Sequence, residues 1–329
     1  METELKIVKA PIRLALALVA GAFVSASAIA QAYPSKPIRI IASTPPGGTI
    51  DLVARLLAQH LPTALGQPVI VENKPGAAGN IAAEFVAKAP ADGYTLLVTA
   101  SSHATNINLY SKLSYHPVKD FAPISQLTSN AFVIAVPASS PANTLGEFLA
   151  LARSKKSDLS YGSAGSGQGN HLGMELLKTM AGFGAVHVPY NGTGPVTLAL
   201  LAGQIDVAIQ SPPGVLPQMK TGRLKILATT GKKRSPLIPE VPTVAEAGVP
   251  GYELLGWIGL LAPAGTPKDV VDKLQREAKK ILGNAEVASQ LHAVSSDVVG
   301  STPQEFSAFL DTEIATWAQV IKKSGARAE

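Results

Sequence analysis

The chain has 329 residues, of which 46% are hydrophobic and 16% charged, and its formal net charge is +5. This balance is typical of a globular protein with a substantial core and excludes an intrinsically disordered chain. The basic residues are scattered, so we expect no nucleic-acid binding. The sequence has no cysteine, which excludes disulfides, thiolate catalysis, cysteine-ligated zinc and a lipid-anchored lipoprotein.

The first 32 residues predict a cleavable secretory signal peptide. Lys6, Lys9 and Arg13 precede the apolar run 14–24, and Ala30-Gln31-Ala32 fits an A-x-A cleavage site. A membrane anchor is the alternative, because a longer reading of this apolar run reaches the short limit for spanning a bilayer. Its end is rich in serine, alanine and glycine, which favours cleavage. We therefore expect a soluble, secreted mature protein that begins at residue 33.

The next part of the chain alternates predicted strands and helices. Strands are expected at 38–42, 69–72 and 94–99, and helices at 49–61 and 81–88. Thr49 is the expected cap of the first helix, and Pro62 is expected to stop it. The order strand–helix–strand–helix–strand predicts a parallel sheet covered by helices, hence an α/β fold.

A second lobe follows, because the same alternation recurs after a proline-containing crossing at 116–137. Its predicted strands are 159–162, 185–189, 205–209 and 224–228, and its predicted helices include 171–181 and 196–202. The stretch 252–262 predicts a second crossing, back to the first lobe. Two amphipathic helices close the chain, and the second opens with the capping box Thr302-Pro303-Gln304-Glu305.

Two glycine-rich turns of one design stand between a predicted strand and a predicted helix. The first glycine turn is residues 45–51, and the second glycine turn is residues 163–170. A helix start offers unpaired N–H groups and a partial positive charge, so it binds anions. Glycine lets a ligand approach the backbone closely. The two turns predict two lobes that grip one small anion.

Two further glycine turns, residues 74–80 (the third) and 190–195 (the fourth), follow other predicted strands. Ligands in parallel sheets bind beyond the carboxyl ends of strands, which adds Ser101, Ser102, Tyr190 and Gln210 as candidates. His171 could donate to a bound carboxylate, or it could be a structural cap. Asp51 could contact the ligand, or it could be only a residue that stabilises the start of its helix. The candidate ligand-binding residues are Pro46, Gly47, Gly48, Thr49, Asp51, Ser101, Ser102, Ser163, Ser166, Gly167, Asn170, His171, Tyr190 and Gln210.

Motifs of catalysis are absent from the sequence. There is no G-x-S-x-G elbow, no H-E-x-x-H and no Walker A motif. The second glycine turn misses the dinucleotide pattern G-x-G-x-x-G, because Asn170 occupies its last position. We therefore expect no enzyme, no metal and no cofactor. A secreted α/β enzyme that acts on an anion is the alternative from another class.

Many ordered motifs of the mature chain carry a resemblance to one family. The sequence resembles the Bug-type (TctC-like) periplasmic solute-binding proteins of tripartite tricarboxylate transporters. The resemblance rests on Tyr33-Pro34-x-Lys36-Pro37-Ile38, Pro46-Gly47-Gly48 with Asp51 and Ala54-Arg55, Val71-Glu72-Asn73-Lys74-Pro75-Gly76-Ala77-x-Gly79-Asn80-Ile81, Asp92-Gly93-Tyr94-Thr95-Leu96-Leu97, Asp120-Phe121-Ala122-Pro123, His187-Val188-Pro189-Tyr190-x-Gly192, Val241-Pro242-Thr243-x-x-Glu246-x-Gly248 and Trp257-x-Gly259-Leu260-x-Ala262-Pro263-x-Gly265-Thr266-Pro267.

The resemblance implies a two-lobed, type II periplasmic-binding-protein (Venus-flytrap) fold, with lobes at 33–132 plus 254–329 and at 133–253. It implies a small mono- or dicarboxylate ligand, aliphatic or aromatic, held by the first and second glycine turns largely through main-chain N–H groups and waters. The expected partner is a membrane permease, and we expect a monomer. A sensor that presents its ligand-bound form to a membrane kinase is the alternative. Ile107 and His116 depart from the family pattern outside the main turns.

Overall fold

The computed structural model describes residues 33–154 and 159–327. The predicted signal peptide at 1–32 lies outside the described residues. The chain divides into segments 1–35 and 36–329, and the fold below is that of the second segment. None of the described helices combines the length and the apolar character that crossing a bilayer requires.

Helices and strands alternate along most of this segment. In chain order they are β1 (Ile38–Ala42), α1 (Thr49–Leu65), β2 (Val69–Asn73), α2 (Asn80–Ala87), β3 (Thr95–Ala100), α3 (Ser102–Leu109), β4 (Phe121–Ala131), β5 (Val133–Pro137), α4 (Leu145–Ser154), β6 (Ser160–Ser163) and α5 (Gly169–Ala181). They continue with β7 (Val186–Pro189), α6 (Thr193–Leu201), β8 (Val207–Gln210), α7 (Pro212–Lys220), β9 (Leu224–Thr229), β10 (Leu255–Pro263), α8 (Lys268–Leu282), α9 (Ala285–Ala293), β11 (Asp297–Val298) and α10 (Pro303–Ser324). A short 3-10 turn at Ala77–Gly79 precedes α2.

The first sheet has six strands in the order β11-β4-β10-β3-β1-β2. Strands β1, β2 and β3 are parallel to one another, whereas β10 is antiparallel to β3 and β4. Ile38, Ile40 and Ile41 of β1 are fully buried. Apart from Arg39, β1 is apolar and buried on both faces, which is expected of a strand whose two faces are both covered by helices. The predicted parallel arrangement of β1, β2 and β3 is confirmed, but the sheet as a whole is mixed.

The second sheet has five strands in the order β7-β6-β8-β5-β9. Strands β6, β7 and β8 are parallel, and β5 runs antiparallel to β8 and β9. A single residue, Phe132, separates β4 of the first sheet from β5 of the second. The chain returns to the first sheet between β9 and β10. The two-lobed arrangement with a double crossing is thereby confirmed.

Thr230 joins the two crossings. Its N–H donates to the carbonyl of Phe132 at 2.9 Å, and its carbonyl accepts from the N–H of Leu254 at 2.9 Å. Its hydroxyl accepts from the Phe132 N–H at 2.8 Å and donates to the Leu254 carbonyl at 2.7 Å. This fully buried side chain therefore fastens the two strand connections to each other.

Three local predictions were wrong. Helix α1 continues through Pro62 to Leu65, because burial of Leu61 and Leu65 favours another turn, and left-handed Gly66 then ends it. Gly48, not Thr49, is its N-cap, and it has no side chain to make a cap bond. Three helices rather than two follow β10, since α9 begins after Asn284, whose side chain accepts two amide hydrogen bonds.

Helix α10 contributes to both lobes. Its N-terminal part places Phe306 and Leu310 in the core that contains Ile41 and Leu97 of the first sheet. Its C-terminal part places Trp317, Val320 and Ile321 in a second core, with Leu172 and Leu177 of α5. The helix is therefore shared between the lobes, and the exact lobe boundaries remain a prediction.

Candidate functional site

Three parallel strands of the first lobe end at one edge of their sheet. Beyond β1 lies the first glycine turn, beyond β2 the third glycine turn, and beyond β3 the pair Ser101–Ser102. Helices α1, α2 and α3 begin directly after them, and none has a side-chain cap hydrogen bond. This edge therefore presents helix starts whose amides have no capping side chain.

The first glycine turn is held by Asp51. The Gly47 N–H donates to Asp51 Oδ2 at 2.9 Å, and the same carboxylate accepts from Arg55 and from Asn73, each at 2.9 Å. The Arg55 guanidinium, helped by Gly47 and Asn73, lowers the pKa of Asp51 to about 2 against the effect of its burial. These bonds support the alternative in which Asp51 shapes the turn. Pro46, Gly47, Gly48 and Thr49 are exposed.

The two serines after β3 differ in their partners. Ser101 Oγ accepts from the main-chain N–H of Trp257 at 3.2 Å, which ties this edge to β10. The Ser102 side chain is half-buried and lies beside the third glycine turn, 3.7 Å from the position that a Cβ on Gly79 would take. Both serines therefore lie at the strand-end edge, as predicted.

In the second lobe the ends of β6, β7 and β8 meet in the same way. Tyr190 N–H donates to the Ser163 carbonyl at 2.9 Å, and Gly192 N–H donates to the Ala164 carbonyl at 3.2 Å. Gln210 Nε2 donates to the Thr193 carbonyl at 3.4 Å. The structure thus brings together the second glycine turn, the fourth glycine turn and Gln210, whose side chain is buried rather than exposed.

The second glycine turn is held by two residues at the start of α5. Gly167 N–H donates to His171 Nδ1 at 2.9 Å. Asn170 Oδ1 accepts from Ala164 N–H at 3.4 Å and from His171 N–H at 3.1 Å. Burial, with the neighbouring His187, lowers the pKa of His171 to about 4. Ser166, by contrast, is exposed at the tip of the turn.

His187 is a component of this site that sequence reasoning missed. Its Nε2 lies 2.6 Å from Ser163 Oγ, and its ring stacks on His171 with centroids 4.0 Å apart. The Ser163 hydroxyl also accepts from Gly165 N–H at 3.2 Å. Tyr161 also stacks with His187, with ring centroids 4.9 Å apart. The sequence signal for it was its position in the motif His187-Val188-Pro189-Tyr190-x-Gly192.

One contact joins the second glycine turn to the first lobe. A Cβ on Gly167 would lie 2.8 Å from Leu109 Cδ1 at the end of α3, so a side chain here would require Leu109 to move, and φ +80° also favours glycine. Helix α3 begins with Ser102 at the other predicted half of the site. Among residues 33–154 and 159–327, no cluster of His, Cys, Asp or Glu could hold a metal ion. Enclosure of one ligand by both edges remains a prediction.

Comparison with known proteins identifies the family. The model of the tripartite tricarboxylate transporter family receptor (TctC) matches residues 53–326. Protein BugT of Bordetella pertussis is 33% identical over 311 residues, which are 94% of this chain and 95% of BugT. The structure of R. palustris Rpa4515 with adipate has 35% identity and a TM-score of 0.78, and the match covers 90% of this chain and 99% of that one.

A second solved relative is MatC from Rhodopseudomonas palustris with bound malate. It has 32% identity and a TM-score of 0.75, and the match covers 88% of this chain and all of that one, 100%. These matches agree in fold and in family with the resemblance that the sequence motifs carry. The chain belongs to the tripartite tricarboxylate transporter receptors, a family of periplasmic solute-binding proteins.

Proposed function

We propose that this chain captures a small carboxylate between its two lobes in the periplasm and delivers it to a tripartite tricarboxylate-type membrane permease. The observation that carries the proposal is the repeated strand-end design. In each lobe, three parallel strands end at the same edge of the sheet. Glycine turns at this edge lead into helices whose first residues have no side-chain cap. Such edges offer amide donors and positive dipole ends to an anion.

The binding mechanism uses main-chain groups on turns that are already rigid. Asp51 and His171 each accept a hydrogen bond from a glycine N–H of their own turn. The turns are therefore ordered before the ligand binds, which lowers the entropy cost of binding. Arg55 is neutralised by Asp51, so the ligand is bound without an arginine clamp. The candidate contacts are the exposed first glycine turn with Ser101 and Ser102, and the second glycine turn with Tyr190 and Gln210.

Closure of the lobes follows from the double crossing. A ligand that contacts both lobes stabilises the closed state through its better fit there, and Thr230 keeps the two crossings together as the hinge bends. The closed form docks on the permease. The protein acts as a monomer, uses no metal or cofactor, and catalyses no reaction.

The test is binding by protein expressed with its own leader and purified from the periplasm. Thermal shift and calorimetry are run with mono- and dicarboxylates, including adipate and malate, and with neutral sugars and amines as controls. At about 100 times its Kd, a specific ligand stabilises the fold by about 2.7 kcal/mol. A shift with sugars or amines, and none with any carboxylate, contradicts the proposal. Chemical conversion of the ligand would establish the enzyme alternative instead.

A second experiment tests delivery. Purified permease in detergent should retain the protein more strongly when the bound carboxylate is present than when it is absent. Equal retention with and without the ligand contradicts delivery by the closed form. Ligand-dependent retention by a membrane sensor kinase, and not by the permease, would establish the sensing alternative.

A further inference from the structure

Ser163, the last residue of β6, joins the second glycine turn to the fourth. Its carbonyl accepts from the Tyr190 N–H at 2.9 Å, and its hydroxyl lies 2.6 Å from Nε2 of His187 on β7. Ser163 is fully buried. The main chain and the side chain of this residue therefore both hold the segment that leads into the fourth glycine turn.

The Ser163 hydroxyl also holds the second glycine turn. It accepts from the Gly165 N–H at 3.2 Å and lies 3.1 Å from the Gly165 carbonyl, to which it can donate. Gly165 has φ +136°, a conformation that other residues rarely adopt. Because the buried hydroxyl is engaged by Gly165 and His187 together, we expect it to position the turn rather than to contact the ligand.

His187 belongs to a stack of two imidazoles that supports two glycines of the second turn. Its ring centroid lies 4.0 Å from that of His171, and the two ring planes are inclined by 14°. His171 Nδ1 accepts directly from the Gly167 N–H at 2.9 Å, whereas His187 acts on Gly165 through the serine hydroxyl. The two histidines therefore hold neighbouring parts of the same turn by different routes.

The charged groups near His187 leave its imidazole neutral at neutral pH. Burial lowers the pKa of His187, and Lys178 acts in the same direction while Glu175 opposes it. Glu175 is itself paired, since it accepts from Tyr161 and, at 2.7 Å, from Lys178. A neutral imidazole has one N–H and one acceptor nitrogen. Its contact with the Ser163 hydroxyl therefore forms whichever nitrogen carries the proton, because a hydroxyl both donates and accepts.

We infer that His187 is a positioning residue for carboxylate binding: through the Ser163 hydroxyl it fixes the second and fourth glycine turns relative to each other, so that their amides converge on the ligand. This inference rests on the proposed function. His187 and Ser163 act on affinity by preorganising the turns. Each of the two residues should therefore matter for binding only while the other is present.

The experiment is calorimetry with the mono- and dicarboxylates that test the proposed function, malate and adipate among them. His187→Phe keeps a ring for the stack but removes the nitrogen, and Ser163→Ala removes the hydroxyl. Each variant alone should bind about tenfold more weakly than the wild type. The double variant should also lose about tenfold rather than about 100-fold, because both substitutions remove the same bond.

His187→Gln distinguishes positioning from packing. The glutamine amide has a donor and an acceptor at its end, so it can replace the imidazole nitrogen toward the Ser163 hydroxyl. Its affinity should remain within about threefold of the wild type. A residue that served only to pack against the neighbouring ring would be replaced better by phenylalanine than by glutamine, which is the opposite order.

Tyr252→Phe is a matched control for lost stability. Tyr252 is buried in the same core as Leu172 and Leu177 of α5, and its hydroxyl donates to the Gly173 carbonyl of that helix at 3.0 Å. The variant therefore loses one buried hydrogen bond in the same lobe. It should lower the thermal unfolding temperature and leave affinity unchanged. An equal loss of affinity in this variant would mean that general loosening of the lobe weakens binding, and would overturn the inference.

The remaining outcomes separate the inference from the function on which it rests. Additive losses in the double variant, wild-type affinity in folded His187→Phe, or weak binding by folded His187→Gln each overturn the role of His187 and leave the proposed function intact. If His187→Phe shows no thermal unfolding transition, Ser163→Ala should still bind more weakly than His187→Gln, and equal affinities overturn the inference. If no carboxylate binds the wild type, the proposed function fails, and the inference fails with it.

Discussion

The main-chain N–H of Gly167 donates to Nδ1 of His171, four residues later, and this bond places the proton of the neutral imidazole on Nε2. Gly47 makes the equivalent bond to Asp51 in the other lobe, again four residues later. Each glycine turn is therefore locked by a side chain from the first turn of its own helix. These two amides are already used, so the donors left for an anion are the other amides at the helix starts.

The His171→Phe variant should lose the acceptor but keep a ring that stacks on His187. The unfolding free energy should fall by about 1–3 kcal/mol, because the Gly167 N–H is left unpaired. Ligand affinity should fall by about tenfold or more as the turn loosens. Urea unfolding and calorimetry measure both. His292→Phe, at a side chain that is 61% exposed, should change neither, and unchanged affinity in His171→Phe would remove His171 from the site.

Stability should fall as the pH is lowered from neutrality. Burial lowers the pKa of both His103 and His171 to about 4, whereas an unfolded histidine titrates near about 6.5. Between these values the unfolded chain binds more protons, so the unfolding free energy decreases with falling pH. We expect a loss of about 1–2 kcal/mol for each histidine between about pH 7 and about pH 5.

Urea unfolding at the two pH values measures this loss, and His103→Gln should reduce the slope. Asp51, whose pKa is lowered to about 2, keeps its full contribution above about pH 4 and does not add to the slope. Ligand affinity should fall in the same direction toward pH 4, since protonation of His171 Nδ1 breaks the bond to Gly167. A pH-independent unfolding free energy over this range would contradict the burial argument.

Gly48→Asp should separate stability from binding. Gly48 is an N-cap with φ −85°, and the nearest atom to an added Cβ is Thr44 Oγ1 at 3.9 Å, so a side chain fits without strain. Aspartate at an N-cap stabilises a helix by a few tenths of a kcal/mol or more relative to glycine. Its charge, however, occupies the proposed anion position. Thermal unfolding should be unchanged or shifted upward, while affinity falls by about 100-fold or more.

Gly48→Ala is the control for Gly48→Asp, because it adds the Cβ without the charge. Its affinity should remain within about tenfold of the wild type. If Gly48→Asp binds the carboxylate as tightly as the wild type does, the anion site lies elsewhere.

Thr230→Val should weaken the hinge. The substitution keeps the shape but removes the hydroxyl that bonds to Phe132 and Leu254, at a cost of about 1–3 kcal/mol in unfolding free energy. Thr229→Val is a close control, because the neighbouring hydroxyl is also buried but has no partner among the described residues. Urea unfolding compares the two. Equal destabilisation would mean that the Thr230 hydroxyl bonds contribute nothing.

The sequence predicted those parts of the structure that depend on local pattern. Apolar runs such as β1, followed by glycine turns and amphipathic helices, indicate parallel strands regardless of the partners they find. The passage of α1 through Pro62 was not predicted, because tertiary burial of Leu65 outweighs the local cost of proline.

The candidate site shows the same limit of local pattern. The positions of the glycine turns follow from their sequences, but what holds them does not. His187 meets Ser163 across 24 residues, and Asn73 meets Asp51 across 22. Ser43 and Ser102 follow different strands, yet both lie within 4 Å of the position that a Cβ on Gly79 would take. The spacing of residues along the chain does not reveal which distant residues will form such contacts.

Helix α10 has a consequence for the order of assembly. The lobe made from the middle of the chain takes Trp317, Val320 and Ile321 into its core, although its own strands are finished by Thr229. The apolar surface of this lobe is therefore fully covered only when α10 is in place. Loss of the final turns of α10 would therefore destabilise the lobe whose own strands lie between residues 133 and 229.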